Sequence, residues 1–139
     1  MIAVDSTVLA DLLFGEERFS RAAADLRQMD PEWCCHGLGI IEVGNVAWKG
    51  VRTGRVDAKV AARAMEQMRR LPADIEWGIK ETAILESALQ HGLTFYDATH
   101  VWHARRRGVT LWTRDTRLSK ACPESTRLVT VDDDPEPRS

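Results

Sequence analysis

The sequence predicts an α/β domain of three layers (α/β/α), in which helices flank a mostly parallel sheet of four to five strands. Short apolar segments alternate with segments of helical periodicity along the chain, a pattern typical of βαβ units. Glycine or proline follows most of these segments, at Gly15, Pro31, Gly54, Pro72, Gly92 and Gly108. The 139 residues suit one compact domain.

The first half of the chain predicts two strands and three helical regions. Residues 1–5 form a short buried strand that ends in Asp5, and a helix follows to Gly15 and continues to about Met29. A second strand is predicted at 33–36, where Gly37 and Gly39 interrupt the pattern. Helices are predicted at 41–51 and 57–70. We expect the core-facing residues of these two helices to be Val43, Val46, Ala47, Val51, Val60, Ala64, Met68 and Leu71.

The second half repeats the alternation. Strands are predicted at 75–77 and 109–112, with an edge strand at 127–129, and helices at 79–90, 96–107 and 116–121. Residues 132–139 contain three aspartates and two prolines, a composition typical of disorder. We therefore expect a domain over 1–131 and a disordered acidic tail over 132–139.

Composition excludes several classes of protein. The formal net charge is −2, so a nucleic-acid partner requires a local basic patch or bound metal ions rather than a basic field. Cys34, Cys35 and Cys122 lack C-x-x-C spacing, which argues against a zinc ribbon or a disulfide framework. Cys34 and Cys35 are expected to be buried free thiols. No signal peptide or apolar run of about 20 residues is visible, which predicts a cytoplasmic protein without a membrane partner.

Four acidic residues lie where this topology places ligands. Asp5 ends the first strand, and Asp115 follows the fourth. Asp97 opens the helix that leads into the fourth strand, and Glu42 lies early in the helix after the second. Ligands of open α/β sheets bind beyond the carboxyl ends of the strands. We therefore expect these four side chains to converge.

Convergence of carboxylates implies a cation. Two carboxylates about 5 Å apart repel by roughly 3 kcal/mol at an effective dielectric near 20, so a group of four requires protonation or a bound ion. Ligand sets made only of oxygen select hard cations, here Mg²⁺ or Mn²⁺. Such an ion activates water and stabilises charge on a phosphoryl group.

Each of these residues also has a simpler interpretation. Asp5 and Asp97 suit helix N-caps, Glu42 a solvated helix position and Asp115 a turn. His100 and His103 have the spacing of a zinc pair but lack an H-E-x-x-H motif and a matching cysteine. His91 and His36 have no companions in sequence. The five tryptophans suit core or interface positions, with base stacking open for one of them.

Three segments resemble the PIN-domain family, and within it the VapC-type toxins. AVDSTVLADLL (3–13) resembles the opening strand with its aspartate, and IIEVGNVAWKG (40–50) resembles the Glu-x-x-Asn helix. LTFYDATHVWHARRRGVTLWTRDTRLSKA (93–121) resembles the segments with the third and fourth acids. The resemblance covers essentially 1–121.

This resemblance implies an endoribonuclease that requires Mg²⁺ or Mn²⁺ and is the toxin of a type II toxin–antitoxin system. It assigns the metal and the catalysis to Asp5, Glu42, Asp97 and Asp115. It also implies a homodimer and a VapB-like antitoxin that forms a hetero-oligomer with the toxin and covers the active site. The resemblance also places Ser6, Asn45 and Thr113 beside the acids. Independently of it, Arg114, Arg105 and Lys49 are candidates for contacts with RNA phosphates, although each also suits a solvated charge on the surface or at a helix end.

Other hypotheses remain open at this stage. The same fold serves a PIN-domain ribonuclease of RNA processing that has no antitoxin. A non-catalytic metal-binding or interaction module is a different class. A phosphoacceptor receiver domain would use Asp5 and Lys120, but it would also carry an aspartate after the third strand, where Trp77 and Gly78 stand.

Overall fold

The structure, a computed structural model, describes residues 1–131. Its centre is a five-stranded sheet in which every neighbouring pair of strands is parallel and the order is β3-β2-β1-β4-β5. The strands are β1 (Ile2–Val4), β2 (Trp33–His36), β3 (Asp74–Glu76), β4 (Leu111–Thr113) and β5 (Thr126–Leu128). The predicted α/β architecture is confirmed. The expected acidic tail, 132–139, lies outside the described residues.

Helices connect the strands and cover both faces of the sheet. They are α1 (Ser6–Phe14), α2 (Glu17–Met29), α3 (Gly37–Arg52), α4 (Ala58–Met68), α5 (Glu81–His91), α6 (Phe95–Arg107) and α7 (Thr116–Ala121). Helices α1 to α4 contribute to one apolar cluster and α5 to α7 to a second. None of these helices is long and apolar enough to cross a membrane.

Consecutive strand residues supply the two clusters alternately, because side chains of a strand point to opposite faces. Val4 and Cys35 belong to the cluster of α1 to α4, whereas Ala3 and Cys34 belong to that of α5 to α7. The adjacent cysteines are therefore both buried and free, as predicted, with one thiol on each side of the sheet.

Helix α3 begins earlier than the sequence predicts, at Gly37 instead of residue 41. Nδ1 of His36 accepts a hydrogen bond of 3.0 Å from the backbone N–H of Leu38 and caps the helix. A Cβ at Gly37 would lie 2.1 Å from the Trp77 ring, so a larger residue here requires the Trp77 side chain to move. Gly37 and Gly39 thus belong to the first turn of the helix and do not separate it from β2.

The core-facing sides of α3 and α4 also differ from the prediction. Val46, Val51 and Val60 are exposed, at 38%, 36% and 54%, so their assignment to the core was wrong. The buried residues of α3 are three glycines, one alanine and one valine, namely Gly37, Gly39, Gly50, Ala47 and Val43. Helix α1 packs against α3, where a Cβ at Gly39 would lie 3.7 Å from Cδ1 of Leu9. Of the tryptophans only Trp33 is fully buried, whereas Trp48 and Trp77 are more than half exposed.

Candidate metal centre at the carboxyl edge of the sheet

Asp5 is the most deeply buried acid at this edge, with 3% of its surface exposed. It follows β1 and caps α1, accepting hydrogen bonds from the backbone N–H groups of Thr7 (3.0 Å) and Val8 (3.4 Å). The hydroxyl groups of Thr7 and Thr113 each donate to its carboxylate at 2.5 Å. Both oxygens are thereby held in a fixed orientation.

Burial raises the pKa of Asp5 above its ordinary value, since a buried carboxylate loses hydration. The positive charge of His100 and the hydrogen bonds from Thr113 and Thr7 act in the opposite direction. A cation near this carboxylate would act in the same sense as His100 and favour its ionised form.

Asp97 lies in the first turn of α6, which Thr94 caps by accepting a 3.1 Å hydrogen bond from the Asp97 backbone N–H. Its side chain is 22% exposed, and Oδ2 lies 3.5 Å from the Arg117 guanidinium. Burial and then the negative charge of Asp115 raise the pKa of Asp97. The two carboxylates are therefore electrostatic neighbours.

Asp115 follows β4 after one intervening residue and caps α7, its Oδ1 accepting from the backbone N–H groups of Arg117 (2.9 Å) and Leu118 (3.2 Å). Its own N–H donates to Oγ1 of Thr113 at 3.0 Å. Because the same hydroxyl donates to Asp5, Thr113 joins the acid after β1 to the acid after β4.

Glu42 approaches from α3 and is held by a histidine. Nε2 of His100 lies 2.6 Å from Oε1 of Glu42, and His100 is 2% exposed. Burial lowers the pKa of His100, but the hydrogen bond to Glu42 and the charges of Asp5, Glu42 and Asp97 together raise it above its ordinary value. His100 therefore lies among three of the four acids, whose negative charges favour its protonated form.

The structure brings all four predicted acids to one edge of the sheet. Within residues 1–131, no three of them place carboxylate oxygens within 4.8 Å of one another, and Glu42 is directed to His100. The donors are carboxylate oxygens, of which Asp5 is buried and carries a raised pKa. This donor set fits a hard divalent cation such as Mg²⁺ or Mn²⁺.

Of the three residues predicted beside the acids, Thr113 bridges Asp5 and Asp115, whereas the other two lie in a groove next to Glu42. Ser6 and Asn45 line this groove, which has a volume of about 510 Å³ and is completed by Leu38, Ile41, Val46 and Tyr96. Lys49 is exposed two turns further along α3. The groove thus adjoins the acidic site on the side of α3.

The structure does not bring the two predicted arginines to the acids. Arg114 forms an ion pair with Asp11 and lies over the Phe19 ring, 4.2 Å from its centroid. Arg105 pairs with Glu124 at 2.7 Å and lies eight residues after Asp97, about 12 Å along the axis of α6. Arg117, which the sequence did not single out, is the arginine that lies beside Asp97.

His100 and Thr7 are the site residues that sequence reasoning missed. His100 follows Asp97 by one helical turn, so both share a face of α6, and this spacing was the available signal. His103, whose spacing from His100 suits a zinc pair that the lack of an H-E-x-x-H motif argued against, packs against His36 with ring centroids 6.1 Å apart. Thr7 lies two residues after Asp5, to which its hydroxyl donates, but nothing local indicates that the same hydroxyl accepts from the backbone N–H of Arg114, far along the chain.

Comparisons with known proteins identify relatives of this chain. The family model of the PIN domain matches residues 2–122. Exonuclease VapC9 of Pyrobaculum aerophilum is 37% identical over 81 residues, which are 58% of this chain and 60% of that protein, so the match spans less than two thirds of its length. Ribonuclease VapC3 of the same organism is 29% identical over 125 residues, covering 88% of this chain and 95% of the relative.

Solved structures give the same result for the fold. PAE2754 from Pyrobaculum aerophilum superimposes with a TM-score of 0.73 at 27% identity, covering 92% of this chain and 88% of that one. FitAcB from Neisseria gonorrhoeae superimposes with a TM-score of 0.62 at 20% identity, covering 91% and 96%. The second likeness concerns the fold alone.

Proposed function

This chain belongs to the PIN domain family, and from that premise we propose that it is the ribonuclease toxin of a type II toxin–antitoxin system, dependent on Mg²⁺ or Mn²⁺. The names of two relatives, Exonuclease VapC9 and Ribonuclease VapC3, support a VapC-type nuclease. The observation that carries the proposal is that Asp5, Glu42, Asp97 and Asp115 lie at the carboxyl edge of the sheet and are linked through the charge of His100 and the hydrogen bonds of Thr113.

In the proposed mechanism, the four acids hold the cation. When bound, Mg²⁺ or Mn²⁺ supplies an activated water and offsets negative charge on the phosphodiester. Thr113 and Thr7 fix the Asp5 carboxylate, and His100 orients that of Glu42. The network resists rotation of the acids, and oriented ligands are what a catalytic metal site requires.

RNA would reach the acids past exposed cations. Arg117 has 68% of its side chain exposed and lies beside Asp97, and Lys49 is exposed on α3. Both suit contacts with phosphates on either side of the scissile bond. Ser6 and Asn45 offer a hydroxyl and an amide in the groove beside Glu42.

The toxin role includes protein partners. Ile41 and Tyr96 are both 62% exposed and line the groove beside Glu42, so an antitoxin segment bound there would cover apolar surface and block the acids. The proposal further includes a homodimer, a hetero-oligomer with a VapB-like antitoxin and a cytoplasmic location. It assigns the nuclease to residues 1–131, so a chain that ends at Val131 retains cleavage.

Cleavage of a circular RNA tests whether the protein is a nuclease and whether it cuts RNA internally. The protein with Mn²⁺ is expected to linearise the circle, because an endonuclease needs no free end, whereas an exonuclease leaves it intact. EDTA and the variant Asp97→Asn should each abolish cleavage. Asp25→Asn, a matched change of an exposed carboxylate on α2, should retain it. Degradation of linear RNA alone would contradict the endonuclease, and no Mn²⁺-dependent cleavage of either RNA would contradict the nuclease.

Expression in cells separates a toxin from a nuclease of RNA processing. Induction of the chain is expected to arrest growth, and co-expression of an antitoxin-like protein from an adjacent reading frame should relieve the arrest. Normal growth during induction of a protein that cleaves RNA in vitro would refute the toxin role and favour the processing enzyme.

A further inference from the structure

A second group of metal-ligand side chains lies away from the acidic site. His91 is the last residue of α5, Cys122 follows α7 directly, and Glu124 lies in the turn before β5. One ligand atom from each, an imidazole nitrogen, the thiol sulfur and a carboxylate oxygen, all lie within 4.8 Å of one another. Cys122 is fully buried, whereas the Glu124 side chain is 60% exposed.

This cluster lies at the edge of the sheet opposite to the acids. Cys122 and Glu124 follow α7 and precede β5, and Arg105 lies near the end of α6, which leads into β4, so these residues lie where strands begin. Arg105, near the end of α6, donates to Oε1 of Glu124 at 2.7 Å and to Ser125 at 2.8 Å. Since Arg105 lies about 12 Å along α6 from Asp97, the two groups of ligands are separate.

We propose that His91, Cys122 and Glu124 bind a transition-metal ion of the Zn²⁺ class, with water as the fourth ligand. Nitrogen, sulfur and oxygen donors are those of tetrahedral Zn²⁺ sites. The thiolate selects a softer ion than the Mg²⁺ or Mn²⁺ of the acidic site. One thiolate and one carboxylate carry two negative charges, which neutralise the ion.

Arg105 has a defined place in this site. A carboxylate has two oxygens, so Glu124 can keep its hydrogen bond to Arg105 through Oε1 while Oε2 faces the ion. Such a partner fixes the orientation of a ligating carboxylate. The guanidinium also takes up charge on the exposed side of Glu124.

Metal binding is coupled to a proton. The thiolate of Cys122, not the thiol, is the form that binds a metal ion. On binding, the S–H bond breaks, a metal–sulfur bond forms and the proton passes to solvent. The ion then joins the end of α5 to the segment that enters the edge strand β5, and this stabilises the folded chain.

Cobalt absorption tests the site in the full-length protein. We expect Co²⁺, added with excess Mg²⁺ to occupy the acids, to bind in one equivalent and to produce the near-ultraviolet charge-transfer band of a cobalt thiolate. Zn²⁺ should displace it. Cys122→Ala should abolish the band, whereas Cys34→Ala, a matched change of a buried thiol in β2, should retain it.

His91→Ala changes a partly exposed residue and provides a second test should Cys122→Ala fail to fold. Loss of hydrogen-bonding partners around a metal alone weakens binding about 10–100-fold, so loss of a ligand should reduce Co²⁺ affinity at least tenfold. Zn²⁺ should raise the thermal midpoint of the parent protein but not that of His91→Ala. Absence of a thiolate band, or a band unchanged in both Cys122→Ala and His91→Ala, would overturn the proposal.

Discussion

Nε2 of His100 lies 2.6 Å from Oε1 of Glu42, so a histidine from α6 holds an acid from α3 at the centre of the acidic site. Both groups are shielded from solvent, His100 almost completely. The contact joins two helices that pack on opposite faces of the sheet and meet at its carboxyl edge. It also means that the position of Glu42 depends on a residue that is not itself an acid.

Substitution of His100 tests this dependence. His100→Phe keeps an aromatic ring but removes the hydrogen bond, and should raise the Mn²⁺ concentration for half-maximal cleavage about 10–100-fold. His100→Asn can still donate to Glu42, so its Mn²⁺ concentration for half-maximal cleavage should be closer to that of the parent protein. Titration of activity with Mn²⁺ measures the shift. A purely structural role for His100 would lower thermal stability while leaving that concentration unchanged in both variants.

Asp97→Asn separates function from stability. Without metal, the substitution removes the repulsion between Asp97 and Asp115, so the free energy of unfolding should stay equal or rise by up to about 1 kcal/mol. Cleavage should be lost, and Mn²⁺ should no longer raise the thermal midpoint. Unfolding in urea with and without Mn²⁺ provides the comparison. A variant as active as the parent protein would remove Asp97 from the site.

Thr113 joins two of the acids through one hydroxyl. Thr113→Val keeps the shape of the buried side chain but leaves Oδ2 of Asp5 and the N–H of Asp115 without this partner. We expect a loss of about 1–3 kcal/mol in unfolding free energy, together with lower activity. Thr113→Ser retains the hydroxyl and is the matched control. Equal stability and activity of the valine and serine variants would contradict the role of the hydrogen bonds.

The loss of folding stability at low pH should arise partly from His103. Burial, followed by the charges of His36 and His100, lowers the pKa of His103 to about 4. Between about pH 6.5 and 4 the unfolded chain therefore binds one more proton, so stability is retained above this range and falls as pH falls through it. The slope from this one group is at most about 1.4 kcal/mol per pH unit.

His103→Gln should flatten that dependence, since it replaces the titrating ring by a neutral side chain. Urea unfolding at pH 7.5 and 5 without divalent ions measures the slope, and His91→Gln, at a partly exposed position, is the control. Identical slopes for the His103 variant and the parent protein would show that His103 does not contribute.

The sequence was sufficient for features that depend on local patterns. Asp5 and Asp115 lie one and two residues after the ends of their strands, and parallel strands place their carboxyl ends at one edge, so the position of both acids at that edge could be predicted. The side chains that orient the acids were harder to predict from the sequence. The Thr113–Asp5 hydrogen bond joins residues 108 positions apart, and the pairing of His100 with Glu42 depends on how α3 and α6 meet.

Prediction of the buried face of a helix from its sequence has the same limit. Val46 and Val51 have helical spacing with Val43, yet only Val43 is buried. Periodicity identifies an apolar stripe, but the position of the neighbouring helix decides which edge of the stripe is covered. Here α1 packs on the small residues of α3, and no local pattern specifies that choice.

Anomalous diffraction from crystals soaked in Mn²⁺ tests the central claim most directly. The account predicts a manganese peak coordinated by oxygens of Asp5, Glu42, Asp97 and Asp115, and loss of this peak in Asp97→Asn. A peak bound only by His91, Cys122 and Glu124, or no ordered manganese at the carboxyl edge of the sheet, would contradict it.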